Sequence, residues 1–174
     1  MDDTNNYRGM SLLSTTSKIF TKIVNDRLLN WVERLNLITE AQAGFRKGYS
    51  TMDHIFTLQS IAHRYLSNRK GRMYSIFVDF SKAFDCVRHN YLWHRLISYG
   101  LHGKVLYVLR SMYSKLESCV LCNNGLTEYF ECKVDTRQGC LLSPLLFSLF
   151  INELKTYVSV NERDGVFVSE NLPN

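Results

Sequence analysis

The peptide Asp79-Phe80-Ser81-Lys82-Ala83-Phe84-Asp85 places two carboxylates directly after an apolar run, Met73-Tyr74-Ser75-Ile76-Phe77-Val78. The run is rich in β-branched and aromatic residues and reads as a buried strand. A carboxylate at the end of a buried strand costs free energy unless a cation compensates it. A divalent metal is a natural compensator, because hard ions take oxygen ligands. The pattern therefore predicts Asp79 at a strand end, held for metal chemistry.

Other elements must position that peptide. A first helix is predicted from about Thr16 to Leu35, where Phe20, Val24, Leu28, Trp31 and Leu35 recur at helical spacing. Ile19 and Ile23 widen that stripe. A loop with Gly44 and Gly48 leads to Ser50-Thr51-Met52-Asp53, which reads as a helix start with Ser50 as cap and an acid in the first turn. Ile55, Leu58, Ile61, Ala62, Tyr65 and Leu66 form the face of that second helix. The strand Met73–Phe80 follows a polar, basic turn. Helices are predicted from about Asn90 to Tyr99, stopped by Gly100, and from about Lys104 to Tyr113. Asn123-Asn124-Gly125 between Ser118–Cys122 and Leu126–Val134 signals a hairpin. Ser143 and Pro144 suit the cap and first position of a helix reaching about Val158, and Gly165-Val166-Phe167-Val168 suits a last strand. The fold class predicted is α+β.

Four segments, in order, carry a family resemblance. Asp79–Asp85 resembles the first catalytic motif of reverse transcriptases, above all those of non-LTR retrotransposons. Gly44-Phe45-Arg46-Lys47-Gly48-Tyr49-Ser50-Thr51 resembles a fingers motif of that family. Arg137-Gln138-Gly139-Cys140-Leu141-Leu142-Ser143-Pro144-Leu145-Leu146-Phe147 resembles the segment over the incoming nucleotide. Asn6-Tyr7-Arg8, Ser11-Leu12-Leu13 and Lys18 resemble the earlier fingers motif, although Gly9 and Met10 stand where the family usually has Pro after the arginine. The family's aromatic-x-Asp-Asp box is expected downstream of Gln138-Gly139 and is not met before Asn174. The chain is thus expected to be a truncated fragment that does not extend a primer alone.

The resemblance implies a right-hand polymerase fold, with residues 1–72 in the fingers and 73–174 in a partial palm. It implies DNA synthesis on an RNA template from a DNA primer, using deoxynucleoside triphosphates and two Mg²⁺ ions, or Mn²⁺, that clamp the attacking and leaving oxygens. Asp79 matches the first metal-binding aspartate, with the Phe80 backbone carbonyl as a further ligand. Asp85 lies past the strand and reads as structural. Phe84 matches the ring that packs under the sugar and excludes a 2′-hydroxyl; a core aromatic is the plainer reading. Arg8, Lys18 and Arg46 are candidates for the triphosphate, since guanidinium forks and ammonium charges suit phosphate oxygens. Lys18 is equally readable as a solvated helix residue. Gln138 and Gly139 match the nucleotide pocket, where Gly allows close backbone approach; Gly139 also suits a plain turn.

The composition fits such partners without requiring them. Net charge is +5, yet residues 1–115 carry 17 Lys and Arg against 8 Asp and Glu, while 116–174 carry 4 against 8. A basic front part suits a polyanion, and a solvated basic surface is the plainer reading. The apolar stretch around Leu141–Ile151 is well short of the ~20 residues that span a bilayer. With an acidic, polar start, this predicts an intracellular protein of nucleus or cytoplasm without membrane contact. Cys119-x-x-Cys122 has no second pair and no nearby His at ligand spacing, so the five cysteines read as reduced thiols rather than a zinc site. The competing function is a catalytically dead remnant that at most binds nucleic acid.

Overall fold

The Ser14 hydroxyl accepts a hydrogen bond from the Ser17 N–H (3.2 Å) and starts helix α1 (Thr15–Arg34). The computed structural model containing it describes residues 11–67, 71–114, 116–123, 125–132, 139–154 and 156–157. The end of α1 is equally defined. Asn36 takes a left-handed φ of 48°, its N–H bonds Glu33 O (3.1 Å), and the Leu37 N–H reaches back to Val32 O (3.1 Å). That pair of bonds satisfies carbonyls the helix leaves open. Helix α2 (Thr51–Leu66) begins at Ser50, whose N–H donates to the Asp53 carboxylate (2.7 Å), as the acid in the first turn suggests. Helices α3 (His89–Ser98) and α4 (Gly103–Tyr113) are joined at Gly100, whose φ of 88° lets the Leu101 N–H return to Leu96 O (3.0 Å).

The hairpin forms where Asn-Gly predicts it. Strand β1 (Glu117–Ser118) pairs antiparallel with β4 (Phe130–Glu131), and β2 (Leu121–Cys122) with β3 (Gly125–Leu126). Two residues between β1 and β2 face three between β3 and β4, so the ladder absorbs one extra residue as a bulge does. Helix α5 (Ser143–Ile151) starts one residue earlier than its capping signal, with Leu142 as N-cap and Pro144 inside the first turn. It ends at Ile151 with Asn152 as C-cap, short of the expected Val158. The structure is therefore a mixture of helices and small antiparallel sheets, as an α+β class requires.

The core gathers around α5. Leu142, Leu145, Leu146, Phe147 and Leu149 are buried, together with Leu92, Trp93 and Leu96 of α3 and Leu109 and Tyr113 of α4. Val24, Leu28 and Val32 bring in α1. A helix with an apolar face on all sides is one that is surrounded, which is the position of α5.

Three expectations need correction. The buried line of α1 is Thr21, Val24, Leu28 and Val32; Phe20, Ile19, Ile23 and Leu35 are exposed and Trp31 half-buried. The apolar residues of this helix are spread over more than one face, so periodicity alone does not choose which face turns inward. Helix α2 forms, but none of its residues is buried, and Ile61 and Ala62 alone of its expected face are even half-buried. Most consequentially, residues 71–80 form no strand: Ile76 is 90% and Phe77 82% exposed. A helix satisfies its backbone within itself, whereas a strand needs neighbours for its N–H and C=O groups. No described strand pairs with this run. The expected strand Gly165–Val168 lies outside the described residues.

Candidate functional site

A line of three phenylalanines joins the motif segments. The Phe45 ring stands edge-on to Phe84 with centroids 5.8 Å apart, and Phe84 tilts against Phe147 at 4.9 Å. Such offset and edge contacts suit the quadrupoles of aromatic rings. Phe45 comes from the Gly44–Thr51 loop, Phe84 from the Asp79–Asp85 peptide, and Phe147 from α5. Phe84 is half-buried and packs against the core.

A fourth segment joins through backbone. Gly139 has a φ of 108°, and a Cβ on it would lie 2.7 Å from the Ser11 carbonyl oxygen. Any side chain there would strain the φ and collide with backbone, so glycine is required by both geometry and space. Gly139 thus lies against the Ser11 backbone.

Arg46 sits in a shallow cleft of about 430 Å³ whose wall includes Gly44, Phe45, Lys47, Tyr49 and His54. Its guanidinium is held on two sides. One N–H donates to Thr39 O (3.3 Å), and the carbon at its centre lies 4.5 Å from the centroid of the Tyr49 ring. This is the cation–π geometry in which guanidinium is favoured over ammonium. The first turn of α2 borders the same cleft through Ser50 and Thr51. Helix N-termini attract anions, although Asp53 already occupies part of that role here. With Lys47, the cleft offers two cationic side chains to an anion.

Two non-glycine residues of the motif loops take left-handed backbone, Phe45 at φ 59° and Lys82 at φ 51°. Such conformations persist where surrounding structure enforces them, and they cluster at functional sites. The Asp85 N–H closes the turn at Lys82 by bonding its carbonyl oxygen (2.9 Å).

The remaining site residues divide clearly. Asp79 and Phe80 are exposed and lie in the irregular run, so Asp79 does not end a strand. Lys18 is exposed on α1, and no ion pair or ring contact among the described residues brings it to Arg46. Arg8 and Gln138 lie outside the described residues. Sequence reasoning missed Phe45, Lys47, Tyr49 and Asn152. The three-residue step from Arg46 to Tyr49 was the available signal for the ring contact. Among the described residues no three His, Cys, Asp or Glu side chains gather to hold a metal. Cys140 is buried, Cys119 and Cys132 half-buried, and Cys86 and Cys122 exposed. No helix among the described residues is long and apolar enough to cross a membrane.

Residues 2–168 match the family model described as reverse transcriptase (RNA-dependent DNA polymerase). The chain belongs to the reverse transcriptase family. Relatives of this reverse transcriptase chain are proteins of mobile elements. It is 33% identical over 147 residues to the transposon TX1 uncharacterized 149 kDa protein of Xenopus laevis, covering 84% of the chain and 11% of that protein. It is 28% identical over 151 residues to the probable RNA-directed DNA polymerase from transposon BS of Drosophila melanogaster, covering 85% and 16%. It is 27% identical over 163 residues to the RNA-directed DNA polymerase from mobile element jockey of the same fly, covering 93% and 18%. These relatives agree with the non-LTR retrotransposon resemblance of the motifs, and the chain spans less than a fifth of their length.

Proposed function

We propose that this chain forms the nucleotide-binding part of a non-LTR retrotransposon reverse transcriptase, which adds deoxynucleotides to a primer 3′ end on an RNA template. The observation that carries the reading is the Phe45–Phe84–Phe147 line, which sets three family motifs side by side next to a cleft containing Arg46. In that arrangement Arg46 binds the triphosphate, and its contacts with Thr39 O and Tyr49 fix its plane before the ligand arrives. Preorganisation of this kind lowers the entropy lost on binding. Phe84 fills the space a 2′-hydroxyl would need. Gly139 brings backbone close to the nucleotide beside Gln138, while Arg8 and Lys18 add positive charge. Fingers and palm are the lobes in which these segments would lie.

Asp79 and the Phe80 carbonyl are hard oxygen donors of the type Mg²⁺ or Mn²⁺ takes. One carboxylate and one carbonyl do not by themselves make a two-ion centre, and no further ligand cluster stands among the described residues. The proposed role of Asp79 is therefore to contribute one carboxylate to that centre.

The test is equilibrium titration of the chain with a deoxynucleoside triphosphate in Mg²⁺, beside Arg46→Ala and the control Lys104→Ala. Arg46→Ala is expected to weaken binding about tenfold, the worth of one charge-assisted contact, and Lys104→Ala to leave it unchanged. Equal affinity in all three would remove the nucleotide role. Primer–template binding should fall steeply with salt as phosphate contacts release counterions.

A further inference from the structure

The side chain of Asn152, at the end of α5, spans to the other end of the sequence. Its Oδ1 accepts the Thr39 N–H (3.0 Å), and its Nδ2 donates to Leu37 O (2.6 Å) and to the Tyr99 hydroxyl (3.4 Å). The amide's orientation is fixed by its partners, because a backbone N–H can only donate and a carbonyl can only accept. Asn152 is 7% exposed, so these bonds form away from water, where an unmade one carries the full desolvation cost.

The peptide it grips is the one that holds Arg46. Thr39 gives its N–H to Asn152 and its carbonyl oxygen to the Arg46 guanidinium. The same helix that carries Asn152 at its C-terminal end follows Gly139 and Cys140 at its N-terminal end and carries Phe147 between. The Thr39 peptide that holds Arg46 and the Phe84 ring that meets Phe45 thus both rest on the α5 segment.

We propose that Asn152 is a positioning residue for Arg46, acting through the Leu37–Thr39 backbone to hold the guanidinium in its binding orientation. Its effect on nucleotide affinity rests on the phosphate role given to Arg46 above. Asn152 touches no substrate. The Leu37 N–H bond to Val32 O and the Gln42 N–H bond to Thr39 O remain without it, but the Thr39 peptide loses the bond that sets its tilt, and with it the direction in which its carbonyl meets the Arg46 fork.

The experiment uses the full chain with labelled arginine side chains, titrated with dATP and Mg²⁺, as wild type, Asn152→Ala, Arg46→Ala and the double variant. Without nucleotide, Asn152→Ala should move the Arg46 side-chain resonance. It should also weaken dATP binding several-fold in the wild-type background and not at all in the Arg46→Ala background, as residues acting in one chain of contacts do. An unmoved resonance, or an equal loss in both backgrounds, would overturn the proposal. If Arg46→Ala binds dATP as wild type does, the nucleotide role fails, and the resonance alone decides whether Asn152 positions Arg46. Asn152→Asp covers the case in which the alanine variant does not fold. Its neutral acid restores both a donor for Leu37 O and an acceptor for the Thr39 N–H, whereas its carboxylate keeps only the acceptor. The Arg46 resonance should take its wild-type position wherever the acid is neutral, at the low end of the pH range at least; a resonance displaced from that position at every pH would overturn the proposal.

Discussion

Residues 143–151 and residues 73–80 are both apolar, and they come to rest in opposite surroundings. The first forms α5 and sits in the middle of the core, with Leu146 and Leu149 at 0% exposure. The second is irregular and open, with Tyr74, Ile76, Phe77 and Val78 all exposed. Hydrophobicity therefore does not separate them. What separates them is where each finds its hydrogen bonds. A helix closes its own, so α5 can form first and then be covered. An extended run must borrow partners from distant sequence, and loop-closure entropy is lost before those contacts repay it. Burial follows backbone satisfaction here.

That contrast can be broken most directly in α5. Leu146→Ala should destabilise the fold by about 2–5 kcal/mol in denaturant unfolding, because a cavity is left among α5, α3 and α4. Phe77→Ser should change folded stability by no more than about 0.5 kcal/mol while raising solubility, because it removes an exposed apolar ring. A large loss for Phe77→Ser would show that the run is covered in solution. Gly139→Ala should cost about 1–3 kcal/mol, since it combines a left-handed φ with a collision at Ser11 O. An unchanged unfolding midpoint would separate the two segments. Amide exchange should sharpen the comparison: Leu145–Leu149 should be protected to near global unfolding, and residues 74–79 should exchange at close to open-chain rates. Lys82→Gly relieves the φ of 51° and should be neutral or stabilising by up to about 1 kcal/mol in the same denaturant unfolding.

The sequence reading succeeded where signals are local. The Ser50–Asp53 helix start, the Gly100 stop and the Asn123–Gly125 turn each depend on residues within a few positions, and each is found. It failed where the outcome depends on partners. The expected stripe of α1 is right at Val24 and Leu28, which are buried, and wrong at Ile19, Phe20, Ile23 and Leu35, which are exposed, because apolar periodicity fits more than one face there. The strand Met73–Phe80 was assigned from composition, which reports strand tendency but not the presence of neighbours. Arg46, Phe84 and Gly139 stand out in the sequence as candidates because their motifs are contiguous. Asn152 is not legible, because it falls inside the helix expected to reach Val158 and its partners are 113 and 115 residues away.

The bonds of Asn152 have the pattern of a missing strand. It accepts from the N–H of one residue and donates to the carbonyl two residues earlier, as a single residue of a parallel neighbour would. One side chain thereby imitates a length of backbone, and it reads main chain rather than side chains. The amide therefore asks nothing of the side chains at Leu37 and Thr39; Leu37 is constrained only by its packing against the core and Ile38 by its own burial. Spacing is what cannot change. Inserting or deleting one residue between Leu37 and Thr39 would present the amide with the wrong pair of groups, so this turn should accept substitutions far more readily than changes in length.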